Sequence, residues 1–244
     1  MSGTTSRKLS DPEPRNPAQT CVSEVLNQLL CTRHSCRAFR SDPVPESTIR
    51  QILSMAQCTA TWCNTQPWQI IITQPAATAR LGRALYKRAS DELPTASNIP
   101  YPREYRGVYL QRRRSTGFGL HDAVGIKRGD HEGRRRQMLD NFRFFDAPHM
   151  ALITSDEALG PYGVMDCGGY IANFLLAAHS AGIGAVAQAA IARDSAYLHE
   201  FFNLSNDRFV VAEIAFGLPD ESHPVNSFQV DRASIDEAVD WVSE

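Results

Sequence analysis

Read by pattern alone, the chain predicts an α/β protein, with amphipathic helical stripes alternating with apolar, β-branched runs. Three observations carry this. Ile49, Ile52, Leu53 and Ala56 recur at helical spacing after the turn Asp42-Pro43-Val44-Pro45; Trp68 to Thr73 is a β-branched run after a proline; and Phe209 to Phe216, closed by Gly217-Leu218-Pro219, is the clearest strand in the chain.

The remaining elements follow in order. Residues 1–20 mix Ser, Thr, Pro and charge without an apolar period and are expected to form a mobile arm. Val22, Val25, Leu26, Leu29 and Leu30 then make a short amphipathic helix. Trp68 to Thr73 is expected to be a buried strand, and Leu81, Ala84, Leu85 and Arg88 belong to a helix between Pro75 and Pro94. Met150 to Thr154 is a second strand. Asp166 to Ala181 is a strong helix whose small residues, Gly168, Gly169, Ala172 and Ala177, suit close approach to another helix, so a dimer axis is a plausible neighbour. Asp194 is expected to cap a short helix through Phe202, and Ser234 a final one carrying Ile235, Val239 and Trp241.

Composition narrows the function. With 244 residues, 43% of them hydrophobic, residues 21–244 can form one domain with a full core. A net charge of −2 gives no general reason for a nucleic-acid or anionic-membrane partner. No apolar run approaches the ~18 residues of a membrane span, and the N-terminus lacks the apolar core of a signal peptide, so a cytoplasmic protein is expected. Six cysteines without a C-x-x-C read as reduced thiols, and neither the C-x4-C pairs (Cys31/Cys36, Cys58/Cys63) nor the seven histidines have metal-ligand spacing. Gly182-Ile183-Gly184-Ala185-Val186-Ala187 matches G-x-G-x-x-A, but a helix precedes it where a dinucleotide fold needs a strand. Gly182 is better explained as a helix C-cap.

Two clusters stand out. In Arg33-His34-Ser35-Cys36-Arg37, an extended backbone would turn Arg33, Ser35 and Arg37 the same way, toward an anion; the bland alternative is that these arginines face a helix C-terminus or water. Asn64 and Gln66, ahead of Pro67, suit a loop whose amides contact a ligand as the chain enters a strand. A planar polar ring with a phosphate tail would use both clusters.

The pattern R-x-S-x-R-x-F, then N-T-Q-P-W before a strand, followed in order by Phe144-Phe145-Asp146-Ala147-Pro148, Gly182-Ile183-Gly184 and Phe216-Gly217-Leu218-Pro219, resembles the FMN-dependent nitroreductase family from about Val22 to the C-terminus. The resemblance implies an α+β fold, a mixed sheet clad by helices in an intertwined homodimer. It implies FMN as cofactor, NADH or NADPH as reductant, and an electron-poor aromatic, nitro or quinone-like, as substrate in a ping-pong hydride mechanism. Arg33, Ser35 and Arg232 would hold the phosphate, with His34 beside them, and Arg37 would sit at the pyrimidine edge. The loop with Ala60, Thr61, Trp62 and Asn64 would reach the flavin of the partner subunit, although the family's A-P-S is Thr59-Ala60-Thr61 here. The backbone at Gln188 and Ala189 would face the flavin ring. No side-chain general acid is implied.

Residues 101–143 differ in character, with eleven basic residues against five acids and the aromatics Tyr101, Tyr105, Tyr109 and Phe118 interleaved. They are expected to be an excursion that covers the site and attracts an anionic partner; binding of nucleic acid through Arg103 to Arg136 is the weaker alternative. A flavin carrier or sensor without turnover is the other.

Overall fold

The computed structural model describes residues 17–243, and their side chains from residue 21. It divides into a unit ending at Arg33 and a second beginning at His34. The first contains α1, Pro17–Thr32, which begins earlier than its apolar pattern and whose Val22, Val25, Leu26 and Leu30 are exposed. The expected arm otherwise lies outside the described residues.

In the second unit β1 (Trp68–Ile72), β2 (His149–Asp156), β3 (Gly184–Gln188) and β4 (Arg208–Gly217) form one sheet in the order β1-β2-β4-β3. All three pairings are antiparallel. The α/β arrangement read from alternation alone is thereby corrected to α+β, and within the described chain the expected mixed sheet is antiparallel. The reason is topological. The crossover helix α6 (Gly160–Ser180) leads from β2 to β3, but β4 inserts between those two strands, so the parallel pair a crossover would make is split.

Period-two alternation along the strands feeds two cores. Ala151, Ile153, Ile214 and Phe216 pack with Phe174 of α6 and Ile52 of α2 (Glu46–Ala56). On the opposite face Met150, Leu152, Val186 and Ala215 meet Leu81 and Leu85 of α3 (Pro75–Ser90), Ile191, and the aromatic turn Asp140–Asp146. In that turn Phe144, Phe145 and Asp146 have φ of 62°, 53° and 58°. The left-handed region costs roughly 1–2 kcal/mol per residue. Burial of both phenylalanine rings offsets this, and Gly82 of α3 lets the turn come close, since a Cβ there would lie 3.3 Å from Arg143 Cα.

Several expectations need correction. β1 is an edge strand in which Trp68 alone is buried, so the buried strand read from its composition is half-covered. Asp194 stands at the N-cap of α7 (Ser195–Phe202) without making the cap bond; its carboxylate takes two bonds from Arg88 instead. The final helix is a single 3-10 turn, Ile235–Glu237, closed by a Ser234–Glu237 capping box. Ile235, Val239 and Trp241 are exposed, and an apolar stripe with nothing to bury it does not hold a longer helix. Gly182 does close α6 (φ 70°): Ile183 N–H donates to Ala178 O and Gly182 N–H to His179 O, the paired bonds of a glycine-terminated helix.

The excursion consists of α4 (Gly107–Ala123) and α5 (His131–Leu139). Much of its positive charge is neutralised locally: Arg103 and Arg106 pair with Glu104, Arg136 with Glu132, Arg143 with Asp140 and Asp146, and Arg112 with Glu237.

Candidate functional site

Residues 36–40 form a short extended segment wedged between the end of β3 and the chain leaving β4. Cys36 N–H donates to Ala185 O, Arg40 N–H to Leu218 O, and Asp220 N–H to Ala38 O, while Phe39 bridges Pro219. In this stretch Cys36 is buried, while residues 33–35 and 37–39 are half-buried. Gly184 makes the approach possible, because a Cβ there would fall 2.7 Å from Cys36 Sγ. Burial pushes the Cys36 thiol up to about 11, so it packs as a neutral side chain.

Asn226 fixes the segment from the other side. Its Oδ1 accepts from Arg37 N–H at 2.8 Å, and its Nδ2 donates to Ala38 O at 2.9 Å and Asp220 O at 2.8 Å. Arg37 is thereby held at the wall of a cavity of about 400 Å³. Asp140, Arg143, Asp146 and His223 also line it, with Val124 and Gln137 contributed by the excursion. Burial pulls the Arg37 guanidinium below its ordinary value, and the neighbouring Cys36 pushes back. A partly desolvated cation that keeps its charge acts more strongly on a ligand than an exposed one. Arg33 ends the first unit, capping α1 with a bond from its N–H to Leu29 O.

The second cluster is a strained loop. Cys63, Asn64 and Gln66 have φ of 49°, 57° and 47°. Thr61 Oγ1 accepts from Gln66 N–H, Gln66 Nε2 donates to Asn64 Oδ1, and Gln57 Nε2 donates to Gln66 Oε1. α6 anchors the loop: Trp62 N–H donates to the Asp166 carboxylate at 3.2 Å, Asn173 donates to Thr59 Oγ1, and the Trp62 and Tyr162 rings lie 4.8 Å apart. Ala60, Trp62, Asn64 and Gln66 are all exposed. The bonds of this loop run to α6 and α2, not to the Arg37 segment.

Beyond β3 the chain turns at Ala189. Gln188 Nε2 donates to Asn141 O at 2.9 Å, and the Tyr101 hydroxyl donates to Ala189 O at 2.6 Å. Arg232 lines a different cavity, of about 700 Å³, beside Arg112, Gly119 and Phe228, and its guanidinium bonds Val230 O and Asp231 O. Within one chain, the twelve residues singled out from sequence thus fall into Arg37 at a cavity wall, residues 33–35 that precede it in the chain, a largely exposed 60–66 loop on α6, the 188–189 turn, and Arg232 at another cavity. Sequence reasoning missed Asn226, Asp166 and Tyr101, whose roles depend on partners 189, 104 and 88 residues away. It also passed over Glu213, visible as the lone charge in the apolar run of β4.

Among the described residues no helix is long and apolar enough to cross a membrane, and no cluster of His, Cys, Asp and Glu is arranged to hold a metal ion.

The chain is similar to proteins of known activity. It is 33% identical over 227 residues to the chloronitrobenzene nitroreductase of Comamonas testosteroni, covering 91% of this chain and 99% of that protein. It is 31% identical over 226 residues to the nitrobenzene nitroreductase of Ectopseudomonas oleovorans, covering 91% and 99%. Its fold superposes with a TM-score of 0.86 on the FMN-dependent nitroreductase NfnB from Mycobacterium smegmatis in complex with NADPH, at 28% identity over 91% of this chain and all of that one. With the Nitroreductase family model matching residues 30–218, most of the second unit and the segment carrying Arg33 to Arg37 included, the chain belongs to the nitroreductase family.

Proposed function

We propose that this chain is an FMN-dependent oxidoreductase that uses NADH or NADPH to reduce nitroaromatic or quinone-like substrates. The carrying observation is Arg37, a half-buried cation fixed through its backbone by Asn226 at the wall of a cavity. When bound, FMN supplies the two-electron hydride chemistry. The residues present fit such a group. Ser35 and Arg37 flank the buried Cys36, with Arg33 two residues before, and a hydroxyl with two guanidinium groups suits a phosphate and an electron-rich ring edge. Exposed amides at Asn64 and Gln66 offer donors and acceptors, and the 188–189 turn is pinned on both sides by Asn141 and Tyr101. Arg37 favours negative charge on whatever lies beside it. The cofactor-binding roles of Arg232 and His34 rest on the resemblance alone. The twelve residues are the binding set of this proposal, and no side-chain general acid is assigned.

The active form in this proposal is a homodimer. Tyr162, Met165, Gly168 and Ala172 leave one stripe of α6 exposed next to Trp62, and Trp241 and Val242 are exposed at the C-terminus. A second copy supplies the cover such surfaces need. Reliance on the nicotinamide pool suits a cytoplasmic setting. The local pairing of the excursion arginines favours a structural cover over a nucleic-acid surface.

The test is direct. Purified protein is expected to be yellow, to release FMN on denaturation, and to oxidise NADPH or NADH in the presence of a nitrobenzoate or a quinone. A colourless protein that takes up no added FMN would overturn the reading. A yellow protein without turnover would reduce it to a flavin carrier. Sedimentation of a flavin-saturated monomer would remove the dimer.

A further inference from the structure

β4 buries one charge-bearing side chain at its centre. Glu213 has none of its surface exposed, and neither carboxylate oxygen has a hydrogen-bond partner. Its cross-strand neighbours are Leu152 on β2 and Gln188 on β3. Gln188 spends its side-chain N–H on Asn141 O, whereas its Oε1 is buried and unpartnered. An ionised carboxylate here would be an uncompensated buried charge, which proteins avoid by protonation. Burial is the main influence, pushing Glu213 well above the usual carboxylate range; the Gln188 side chain comes near enough to pull the other way, without meeting hydrogen-bond geometry.

The charged groups on elements packed against β4 are engaged elsewhere. Asp140 and Asp146 pair with Arg143, Asp194 with Arg88, and Arg193 lies over the Phe142 ring. Arg208 donates to Thr154 and to Pro67 O, and the His149 ring is bonded by Val44 N–H and Thr73 O. The remaining ionisable groups on elements packed against β4 are Tyr197, His199 and Glu200 of α7 and Tyr162, Asp166, Cys167, Tyr170 and His179 of α6.

We propose that Glu213 is a neutral hydrogen-bond donor that positions Gln188, and through it the turn at Ala189 that faces the cofactor. The O–H of a neutral carboxyl is the donor that Gln188 Oε1 lacks. One directional chain, Glu213 O–H to Gln188 Oε1 and Gln188 N–H to Asn141 O, then joins the central strand, the end of β3 and the aromatic turn. Tyr101 holds Ala189 from the opposite side. Glu213 touches no substrate, so it is a positioning residue. Its consequence for the flavin rests on the proposed function; its being a donor does not.

The experiment compares Glu213→Leu, which removes the donor, with Glu213→Gln, which keeps one at similar volume. In FMN-free protein at neutral pH, the infrared carbonyl band of a protonated, buried carboxyl is expected in the wild type and absent from both variants. Amide exchange at Ala189 and Ala190 is expected to accelerate about tenfold in Glu213→Leu, and FMN affinity to fall about tenfold, as loss of one buried hydrogen bond implies. Glu213→Gln is expected to stay within about threefold of wild type on both measures. Absence of the band in the wild type, a Leu variant indistinguishable from wild type, or a Gln variant no better than Leu would each overturn the proposal. Should Glu213→Leu not fold, the band and the Gln variant decide. If the wild type binds no FMN, the proposed function fails, while the band and the exchange rates still decide the role of Glu213.

Discussion

Replacing Asn226 by Ala removes three hydrogen bonds at one stroke, two to the segment that carries Arg37 and one to Asp220, whose own N–H bonds Ala38 O. The side chain is 8% exposed, so Arg37 N–H loses its partner where water replaces it poorly, and Ala38 O and Asp220 O each lose one donor and keep another. At about 1 kcal/mol net per bond the loss is about 3 kcal/mol, which in a chain of this size lowers the melting temperature by roughly 6–12 °C. Asn226→Asp is the sharper variant. It keeps an acceptor for Arg37 N–H but turns a carboxylate toward two carbonyl oxygens, so it is expected to be no better than Ala. Calorimetry of the FMN-free protein reads the stability, and fluorescence titration reads FMN affinity, which falls as the Arg37 segment loosens. A melting temperature within about 2 °C of wild type in Asn226→Ala, or a native-like Asn226→Asp, would refute the idea that this amide organises the segment.

Gly184→Ala drives a Cβ to 2.7 Å from Cys36 Sγ and 3.2 Å from Pro219 Cβ, so a loss of about 1–3 kcal/mol is expected in denaturant midpoints, partly restored by adding Cys36→Ala. Arg37→Ala is expected to lower the flavin reduction potential and slow hydride transfer with FMN still bound, whereas Arg33→Ala weakens oxidised and reduced FMN alike by about 1.5–3 kcal/mol; equal affinity losses with no change of potential at Arg37→Ala would show that the division of labour is wrong. His149 is held neutral, with Nδ1 bonded to Thr73 O and Nε2 accepting from Val44 N–H, and burial lowers its pKa from 6.5. The unfolded chain therefore binds a proton that the fold refuses: stability is full above 6.5 and falls as pH drops toward the lower folded value, and in His149→Gln that part of the acid slope, read from urea midpoints between pH 7 and 5, should flatten.

The helices and strands were legible in the sequence wherever local pattern decides them. The stripe of Ile49, Ile52 and Ala56 became the buried face of α2, and the Gly182 stop became a left-handed helix terminus, because both depend on neighbours a few residues away. Sheet order did not have this property. Nothing local to β2, α6 or β3 says that β4 will enter between them, so alternation suggested a parallel neighbourhood that the pairing replaced with antiparallel strands. The C-terminal stripe of Ile235, Val239 and Trp241 misled for the converse reason: its period is helical, but the described chain has no surface against which to bury it.

The candidate site divides along the same line. Arg33, Ser35 and Arg37 were singled out because alternating polar residues are a local pattern, and in that stretch the structure buries Cys36 alone. What gives the segment its position is not local. Gly184 removes a side chain so that Cys36 can approach, Ala185 O and Leu218 O accept from Cys36 and Arg40, and Asn226 clamps Arg37 and Ala38 from 189 and 188 residues away. Each of these is an ordinary residue for its place in the chain: a glycine after a helix, two strand-end carbonyls, an asparagine in a turn. They become a site because the antiparallel pair β3–β4 brings Gly184 opposite Gly217, leaving two strand ends side by side with room for one more extended segment across them. The sequence carries the charges proposed to meet a ligand, whereas the pairing of β3 with β4 determines which backbone holds Arg37 still. A substitution that shifts this register should therefore disable Arg37 as thoroughly as removing its guanidinium, even where no residue of the cluster itself is changed.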